Sequence, residues 1–368
     1  MTSSGTSTLD LQSIRQQIDS IDEQLLQLFN QRAECAIRVA ESKKQALKEG
    51  ESLEFFRPER EAQVIQRIKD LNQGPLNDKE AGRLIREVMS ACLALEQPLK
   101  IAYLGPEGTF TQAAALKHFG NSVDTIALSC IPDVFSSVQA GHADFGLVPV
   151  ENSTEGVISH TLDMFIQSDL KVCGEVEVRI HHQLANLSQN PEDIKKIYSH
   201  QQSFAQCRNW LDQNFPSIER LPVSSNAEAA RLAAEDDQSA AICGVQAVEI
   251  FGLKICNKNI EDLANNTTRF MVIGDLQVEP SGMDKTTILM SAHNQPGSLL
   301  SLLQPLADNS ISMNKIESRP SPDRLWEYVF FVDIEGHQKN ENVAKALLEL
   351  QKQAALFKIL GSYPKVEL

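Results

Sequence analysis

Two cationic side chains interrupt an apolar column near the amino end of the chain. Arg32 stands in a helical column that otherwise contains Leu11, Ile18, Leu25 and Val39. A charge in an apolar seam must be paired or must bind a ligand. Lys43 follows eleven residues later, nearly on the same face and about 16 Å along the helix axis. The two side chains could therefore close around a small dianion; alternatively, they extend to solvent or pair with glutamates.

Arg15 adds a third cation on the same predicted helix, at a different position along the helix axis. It precedes Arg32 by seventeen residues, which is roughly 25 Å on a straight helix. One small ligand cannot bridge that distance within one chain. A site that uses both arginines would need Arg15 from a second, antiparallel copy of the helix.

Three polar junctions further along the chain each join a short apolar run to a helix, at residues 105–109, 148–156 and 199–203. Thr109 can cap its helix, whose first backbone amides then face an anion. Three such junctions in one α/β unit suit a cleft for a small anion, although each one singly could be an ordinary capped loop. Because the net charge is −15, an anionic substrate requires positive charge gathered at its site.

A candidate carboxylate site lies near the carboxyl end. Gly297 follows a predicted strand and opens backbone amides at the start of a predicted helix. Residues 317–320 end the next predicted strand.

The elements that position these residues fall into three segments. Residues 11–46 carry apolar residues at helical spacing without proline or glycine, which predicts one long helix that needs partners along its whole length. Pro58 suits the first turn of a second helix, and a third is predicted over 77–97. The segment 1–98 is therefore predicted to be all-α.

From residue 99 the pattern changes. Short apolar runs alternate with amphipathic helices, which predicts an α/β domain, or two lobes of one, over 99–280. Its predicted strands are 100–104, 144–150, 172–178, 197–200, 240–243 and 269–274. After a linker at 280–282, residues 284–368 read strand, helix, strand, strand, helix, strand, the ferredoxin-like α+β order. Those elements are predicted at 286–291, 297–309, 313–318, 326–335, 342–353 and 356–361.

Composition narrows the class of protein. With 42% hydrophobic and 23% charged residues, the chain is typical of a soluble globular protein, and no apolar run is long enough to span a bilayer. The negative charge opposes binding to nucleic acid or acidic membranes. Met1–Thr8 lacks the features of a signal peptide, so we expect a cytoplasmic protein.

No metal site is predicted. The seven cysteines are dispersed without a CxxC pair, which favours reduced, buried side chains over disulfides or zinc ligands. His181 and His182 are predicted to lie adjacent on a strand, where neighbouring side chains face opposite ways.

Residues 9–97 resemble the all-helical chorismate mutase family, through residues 11–44, RPEREAQVIQRI (57–68) and LIREVMSACLALEQ (84–97). In that family the active site lies in an intertwined helical dimer, and one arginine comes from the neighbouring chain. The reaction is a pericyclic rearrangement of chorismate to prephenate, which needs no nucleophile or cofactor, only conformational restriction and charge at the breaking ether bond. The resemblance implies a pocket lined by Arg15, Arg32, Lys43, Arg60, Glu61 and Glu96.

By the same resemblance Arg15 and Arg32 hold the carboxylates and Lys43 donates to the ether oxygen. Position 96 is Glu where many members carry Gln. A glutamate can donate to that oxygen only when protonated, so we expect a raised pKa for Glu96. Arg57 stands where some members have an acidic substrate contact, and Cys92 where some have serine, which leaves both as candidate substrate contacts.

Residues 100–276 resemble prephenate dehydratases through four ordered motifs: GPEGTF (105–110), GLVPVENSTEG (146–156), SHxQxxAQC (199–207) and TRF (268–270). The resemblance implies two lobes like those of type II periplasmic binding proteins, with prephenate between them. It also implies that Thr268 donates to the departing hydroxyl, polarised by its surroundings because threonine is a weak acid. The other implied contacts are Thr109, Asn152, Ser153, Thr154, Gln202 and Arg269.

Residues 284–368 resemble an ACT domain whose QPGSLL (295–300) and ESRP (317–320) motifs match those that bind phenylalanine in dehydratases. The first reads GSL rather than the more frequent GAL. The implied allosteric residues are Gly297, Ser298, Leu299, Glu317, Ser318, Arg319 and Pro320. Feedback inhibition by L-phenylalanine across an ACT–ACT dimer is therefore expected, in a homodimer or larger homo-oligomer.

The three segments together predict a bifunctional, feedback-inhibited enzyme of phenylalanine biosynthesis. One alternative keeps the dehydratase but makes the helices only a dimerisation arm, which the changes at 57, 92 and 96 leave open. The other is an amino-acid sensor without activity, against which the presence of Arg15, Arg32, Lys43 and Thr268 argues.

Overall fold

The computed structural model describes residues 11–46, 56–292, 295–321 and 328–366. Met1–Thr8 and the predicted start of a strand at Trp326 lie outside these ranges. In the described ranges, no helix is both long and apolar enough to cross a membrane. Nor do three or more His, Cys, Asp or Glu side chains gather there in a group that could hold a metal ion.

Three helices form the first segment, as predicted: α1 (Leu11–Ala46), α2 (Pro58–Leu71) and α3 (Asp78–Glu96). Asn77 caps α3 by accepting a hydrogen bond from the Glu80 amide. The helix α3 packs against both α1 and α2, yet Ala40 is the one buried residue of the fully described α1. Its exposed apolar residues are Leu11, Ile18, Ile21, Leu25, Leu26, Leu28, Phe29, Ile37 and Val39. That surface is consistent with a helix that needs a partner beyond its own chain.

The next segment forms two α/β lobes, as predicted. The first contains β1 (Lys100–Leu104), α4 (Phe110–Phe119), β2 (Asp124–Leu128), α5 (Ile131–Gln139), β3 (Phe145–Asn152), β4 (Gly156–Val157), α6 (Ser159–Gln167) and β5 (Lys171–Arg179). The second contains β6 (Gln183–Asn186), β7 (Lys196–His200), α7 (Gln201–Gln206), α8 (Arg208–Asn214), β8 (Glu219–Val223), α9 (Asn226–Ala233), β9 (Ser239–Cys243), α10 (Val245–Ile250) and β10 (Lys254–Asn257). The chain then returns to the first lobe through β11 (Thr267–Gly274).

Sheet order explains where the cleft lies. The first sheet runs β2-β1-β3-β11-β5, with β4 paired to β3, and the second runs β10-β6-β9-β7-β8. Strand β11 is antiparallel to both β3 and β5. The start of β11 therefore meets the end of β3 where the chain crosses between the lobes, and ligands of open α/β sheets bind at such edges.

The last segment has the predicted ferredoxin-like order: β12 (Asp284–Ser291), α11 (Ser298–Asp308), β13 (Met313–Pro320), β14 (Tyr328–Glu335), α12 (Glu341–Gln353) and β15 (Leu356–Pro364). Its antiparallel sheet is ordered β13-β14-β12-β15. One sheet face packs on α11 and α12, whereas the other shares a hydrophobic core with the first lobe. A side chain at Gly361 would collide with the backbone of Val172, so glycine permits this close approach of β15 to β5.

The helical segment is also anchored to the first lobe. Phe56 is buried, and its ring centroid lies 5.2 Å from that of Phe119 and 5.2 Å from that of Phe145. Glu87 of α3 accepts hydrogen bonds from the backbone amide and side-chain amide of Asn121.

Two details of the segment 99–280 differ from prediction. Strands β2, β4, β6, β8 and β10 were not predicted, because they are short and β2 and β8 are only half-buried. His181 and His182 lie in the crossover between β5 and β6 rather than on a strand. They nevertheless face different partners, Glu261 and Gln206 respectively.

Candidate active and regulatory sites

A hydrogen-bonded pair marks the meeting of β3 and β11. The Asn152 side-chain amide donates to the Thr268 hydroxyl oxygen across 2.8 Å, and Thr268 is 8% exposed. The Asn152 carbonyl oxygen accepts from the backbone amides of Thr154 and Glu155. Because backbone amides only donate, this fixes the orientation of the Asn152 amide. Thr268 therefore accepts in this bond, and its own proton stays available for donation.

Ser153 holds the two strand ends together. Its backbone amide donates to the Thr267 carbonyl, and its hydroxyl oxygen accepts from the Thr267 amide, both at 2.9 Å. The Ser153 hydroxyl also lies 3.5 Å from the side-chain carbonyl of buried Asn266, whereas the Thr154 hydroxyl donates to the Asn152 carbonyl across 2.6 Å and lies 3.4 Å from Asn266. The structure thus brings together the predicted residues Asn152, Ser153, Thr154 and Thr268, and adds Asn266.

The second lobe reaches this cluster through Gln206. Its side-chain amide lies 3.5 Å from the Thr154 hydroxyl, while its carbonyl lies 2.8 Å from Nε2 of buried His182. Burial lowers the pKa of His182, so the neutral ring donates to Gln206 through Nε2 at neutral pH. Gln202, the predicted contact, is exposed in the first turn of α7. Both glutamines belong to the same motif, and only the tertiary structure distinguishes their neighbours.

Thr109 and Arg269 have surroundings other than those predicted. Thr109 is the residue before α4, but its hydroxyl donates to the Leu104 carbonyl instead of capping the helix. Arg269 lies on the face of β11 opposite Thr268, because consecutive strand residues alternate. Its guanidinium pairs with Glu175 and Asp333 at 2.6 Å each, away from the cleft.

The carboxyl-terminal halves of α1 and α3 carry a second cluster of predicted residues. Arg32 is half-buried and its guanidinium lies 3.5 Å from the Val88 carbonyl of α3. Burial raises the pKa of the Glu96 carboxyl, against the opposing effect of the Lys43 and Arg32 charges. These three predicted residues therefore lie together in one chain. Arg15 is exposed near the other end of the continuous helix α1.

The remaining predicted residues of this segment lie on α2 and α3. Arg57 pairs with Glu59 across 2.7 Å, and Arg60 is exposed. Cys92 is buried. Burial raises the pKa of the Glu61 carboxyl, while Arg86, at 2.8 Å, acts against that rise. Arg86 was missed, because nothing in the spacing of α3 indicates its partner on α2.

The predicted allosteric residues occupy two places on the ACT sheet. Gly297, with φ of 83°, precedes α11 and is followed by Ser298 and exposed Leu299. The edge strand β13 ends with Glu317, Ser318, Arg319 and Pro320, and β14 lies between β13 and β12. The Arg319 guanidinium reaches the first lobe, where it donates to Ser159 at 2.9 Å and to Asp163 at 2.8 Å.

Comparisons with known proteins match all three segments. Family models described as chorismate mutase type II, prephenate dehydratase and ACT domain match residues 14–97, 101–277 and 286–351. The chain is 52% identical over 359 residues to a bifunctional chorismate mutase/prephenate dehydratase of Pseudomonas aeruginosa, covering 97% of this chain and 98% of that protein. A protein of the same description from Aquifex aeolicus is 43% identical, with 97% and 98% covered.

A solved structure extends the likeness to the fold. The prephenate dehydratase of Arthrobacter aurescens in complex with L-Phe is 34% identical and superposes with a TM-score of 0.67. The match covers 73% of this chain and 90% of that one.

Proposed function

This chain belongs to the family of bifunctional chorismate mutase/prephenate dehydratases, and we propose which of its residues carry each reaction and its control. The enzyme converts chorismate to prephenate, then prephenate to phenylpyruvate, and phenylalanine inhibits it. We assign the mutase to residues 1–98, the dehydratase to 99–280 and the regulatory ACT domain to 284–368.

In the dehydratase, Thr268 donates its proton to the departing hydroxyl of prephenate. The observation that supports this role is the hydrogen bond from Asn152, which leaves the threonine proton available. The ring C–O bond and the bond to the ring carboxylate break, and the electrons of the latter complete the aromatic ring. Water and carbon dioxide leave, and solvent returns the proton that the step consumes.

In the mutase, Arg32 and Lys43 bind the chorismate dianion beside Glu96, and Arg15 reaches the site from a second chain. Two observations support this arrangement: the clustering of Arg32, Lys43 and Glu96, and the exposed apolar face of α1. The protein is therefore proposed to be at least a homodimer. We also propose that it acts in the cytoplasm. Arg60 and Glu61 are proposed to complete the pocket, and Arg57 and Cys92 are further candidate substrate contacts.

Mutase activity should depend on the protonation of Glu96. The protonated carboxyl can donate to the ether oxygen, and this form predominates below the raised pKa of Glu96. Activity should therefore fall as the pH rises through that pKa. The change Glu96→Gln supplies a donor at every pH, so its mutase profile should lose this fall.

The measurement is mutase kcat/KM between pH 5 and pH 9 for both proteins, with dehydratase activity as the internal control. An equal decline in the Glu96→Gln protein would show that another group causes it.

The ACT domain is proposed to bind phenylalanine through the amides after Gly297 and through residues 317–320. Exposed Leu299 and Leu300, together with Ile316 on the same face as α11, offer an apolar surface for a second ACT domain. The two motifs lie apart within one ACT domain. At a site shared between two ACT domains, one motif from each domain could contact the same phenylalanine.

One assay tests the whole proposal. Purified protein is given chorismate, and chorismate loss and phenylpyruvate formation are followed with and without phenylalanine. Both should occur, and phenylalanine should suppress phenylpyruvate formation. Turnover of added prephenate without loss of chorismate would instead indicate a dehydratase with a helical dimerisation arm. Phenylalanine binding without either reaction would indicate a sensor.

A further inference from the structure

The catalytic strand pair has a second face. Thr268 and Asn152 are register partners on β11 and β3, and the next register pair is Arg269 and Glu151. Because side chains alternate along a strand, this second pair lies on the opposite side of the sheet from the first. That side is covered by the ACT sheet.

The ACT sheet presents a matching pair. Lys315 of β13 and Asp333 of β14 are also register partners. The Arg269 guanidinium lies 2.6 Å from the Asp333 carboxylate, and the Lys315 ammonium contacts the Glu151 carboxylate. Arg269 and Glu151, which are neighbours on the sheet of the first lobe, thus form ion pairs with two residues that are neighbours on the ACT sheet. We refer to Glu151, Arg269, Lys315 and Asp333 as the interface quartet.

Further buried groups fix the quartet on its Arg269 side. Glu175 of β5 accepts from Arg269 Nε at 2.8 Å and pairs with Lys285 at 2.6 Å. Tyr363 accepts from Arg269 at 3.2 Å and shares a hydrogen bond of 2.7 Å with Thr287. All of these residues are at most 9% exposed. Water therefore cannot easily replace a partner if one sheet moves against the other.

We infer that the interface quartet is the contact through which the ACT domain positions Thr268 and Asn152, with Arg269 and Glu151 as positioning residues. Lys315 lies two residues before Glu317, the first residue of the proposed phenylalanine motif. A ligand that displaces β13 moves Lys315, and the paired charges transmit that displacement to the residues adjoining Thr268 and Asn152. This inference rests on the proposed roles of Thr268 and of residues 317–320.

A displacement of β13 would be transmitted to the cleft, because each charged residue of one sheet pairs with one particular residue of the other. Successive residues of a strand are about 3.3 Å apart, so a shift of a single position would bring Lys315 or Asp333 out of hydrogen-bonding reach of its partner. A narrow cleft between the sheets is lined by apolar side chains of both domains together with the charged residues Arg269, Lys315, Glu317 and Asp333. The charged pairs therefore lie beside the hydrophobic core that the two domains share, and they add contacts that are specific in register to it.

The test uses the full-length protein and the variants Lys315→Met and Asp333→Asn. Lys315 is partly exposed, so its replacement should fold even if the more buried Asp333→Asn does not. Both variants should keep phenylalanine Kd, measured by calorimetry, within about threefold of wild type, because neither residue belongs to the proposed phenylalanine motifs. Dehydratase activity that remains at saturating phenylalanine should rise at least about fivefold.

Two controls make the result specific. Lys315→Arg keeps the charge and should retain wild-type inhibition. Glu279→Gln removes an exposed ion pair of 2.6 Å to Lys339, which also joins the ACT domain to the preceding segment but does not touch β11 or β3. It should leave inhibition unchanged.

Full inhibition in both Lys315→Met and Asp333→Asn would overturn the inference. So would a loss of inhibition that is matched by an equal loss of phenylalanine affinity, since this would place the residues in the ligand site. If wild-type protein shows no dehydratase activity, or no inhibition by phenylalanine, the proposed function itself has failed.

Discussion

Replacing Thr268 with alanine is expected to lower dehydratase turnover by about 10²- to 10⁴-fold, the range that positioned proton donors contribute. Hydroxide is a poor leaving group, so the departing oxygen needs a proton while the ring C–O bond breaks. Thr268 is the proposed donor, because Asn152 occupies its acceptor side and leaves the hydroxyl proton available. Alanine removes the donor and leaves the Asn152 amide without this acceptor.

The loss should be confined to one reaction. Thr268 lies between the lobes, whereas Arg32, Lys43 and Glu96 lie on the helical segment. Mutase turnover should therefore change by less than about twofold. The unpaired Asn152 amide should lower the free energy of unfolding by about 1–3 kcal/mol, which thermal denaturation would measure.

Two variants separate chemistry from packing. Thr268→Ser keeps the hydroxyl and should retain most of the dehydratase turnover. Thr267→Ala removes the neighbouring hydroxyl, which donates to the Asn265 carbonyl, and should leave turnover nearly unchanged. A Thr268→Ala protein that turns over prephenate at the wild-type rate would show that another group protonates the leaving oxygen.

Elements with strong local signals could be predicted from the sequence. Helix α1 has 36 residues without proline or glycine, and Pro58 marks the start of α2; both boundaries agree with the structure. The ferredoxin-like order of the last segment was equally clear. Short edge strands such as β2 and β8 were missed because their half-exposed residues give no periodic signal.

Partners that depend on tertiary contacts could not be predicted. Gln206 and Gln202 lie one helical turn apart in the same motif, and only the packing of α7 shows that Gln206 reaches Thr154. The pairing of Arg86 with Glu61 likewise joins two helices whose mutual rotation the sequence does not specify.

The orientation of the Arg269 side chain, by contrast, could have been predicted from the alternation of side chains along a strand. Two consecutive residues of a strand face opposite sides, so Thr268 in the cleft implies that Arg269 points away from it. Its place in the TRF motif suggested a substrate contact, whereas its carboxylate partners lie on β5 and β14. A motif therefore indicates that residues act in one function, not that their side chains share one site.

Co-expressing Arg15→Ala and Lys43→Met chains with different affinity tags is expected to restore mutase activity that neither variant has alone. Each homodimer should lose about 10²- to 10³-fold, because every site lacks one cation that stabilises the transition state. In the mixed dimer one site lacks both residues, but the other takes Arg15 from one chain and Lys43 from its partner. Random pairing of equal amounts should then give roughly a quarter of wild-type activity.

The pair Arg32→Ala and Lys43→Met is the matched control. Both residues lie with Glu96 in one chain, so each site of that mixed dimer lacks one of them and activity should stay low. Restoration in neither mixture would contradict the shared site and leave α1 with only an assembly role. Restoration in both would mean that Arg32 and Lys43 serve different sites, contrary to their clustering around Glu96. The expected asymmetry follows because roughly 25 Å separates Arg15 from Arg32 on a continuous α1, whereas Arg32 and Lys43 act on the same Glu96.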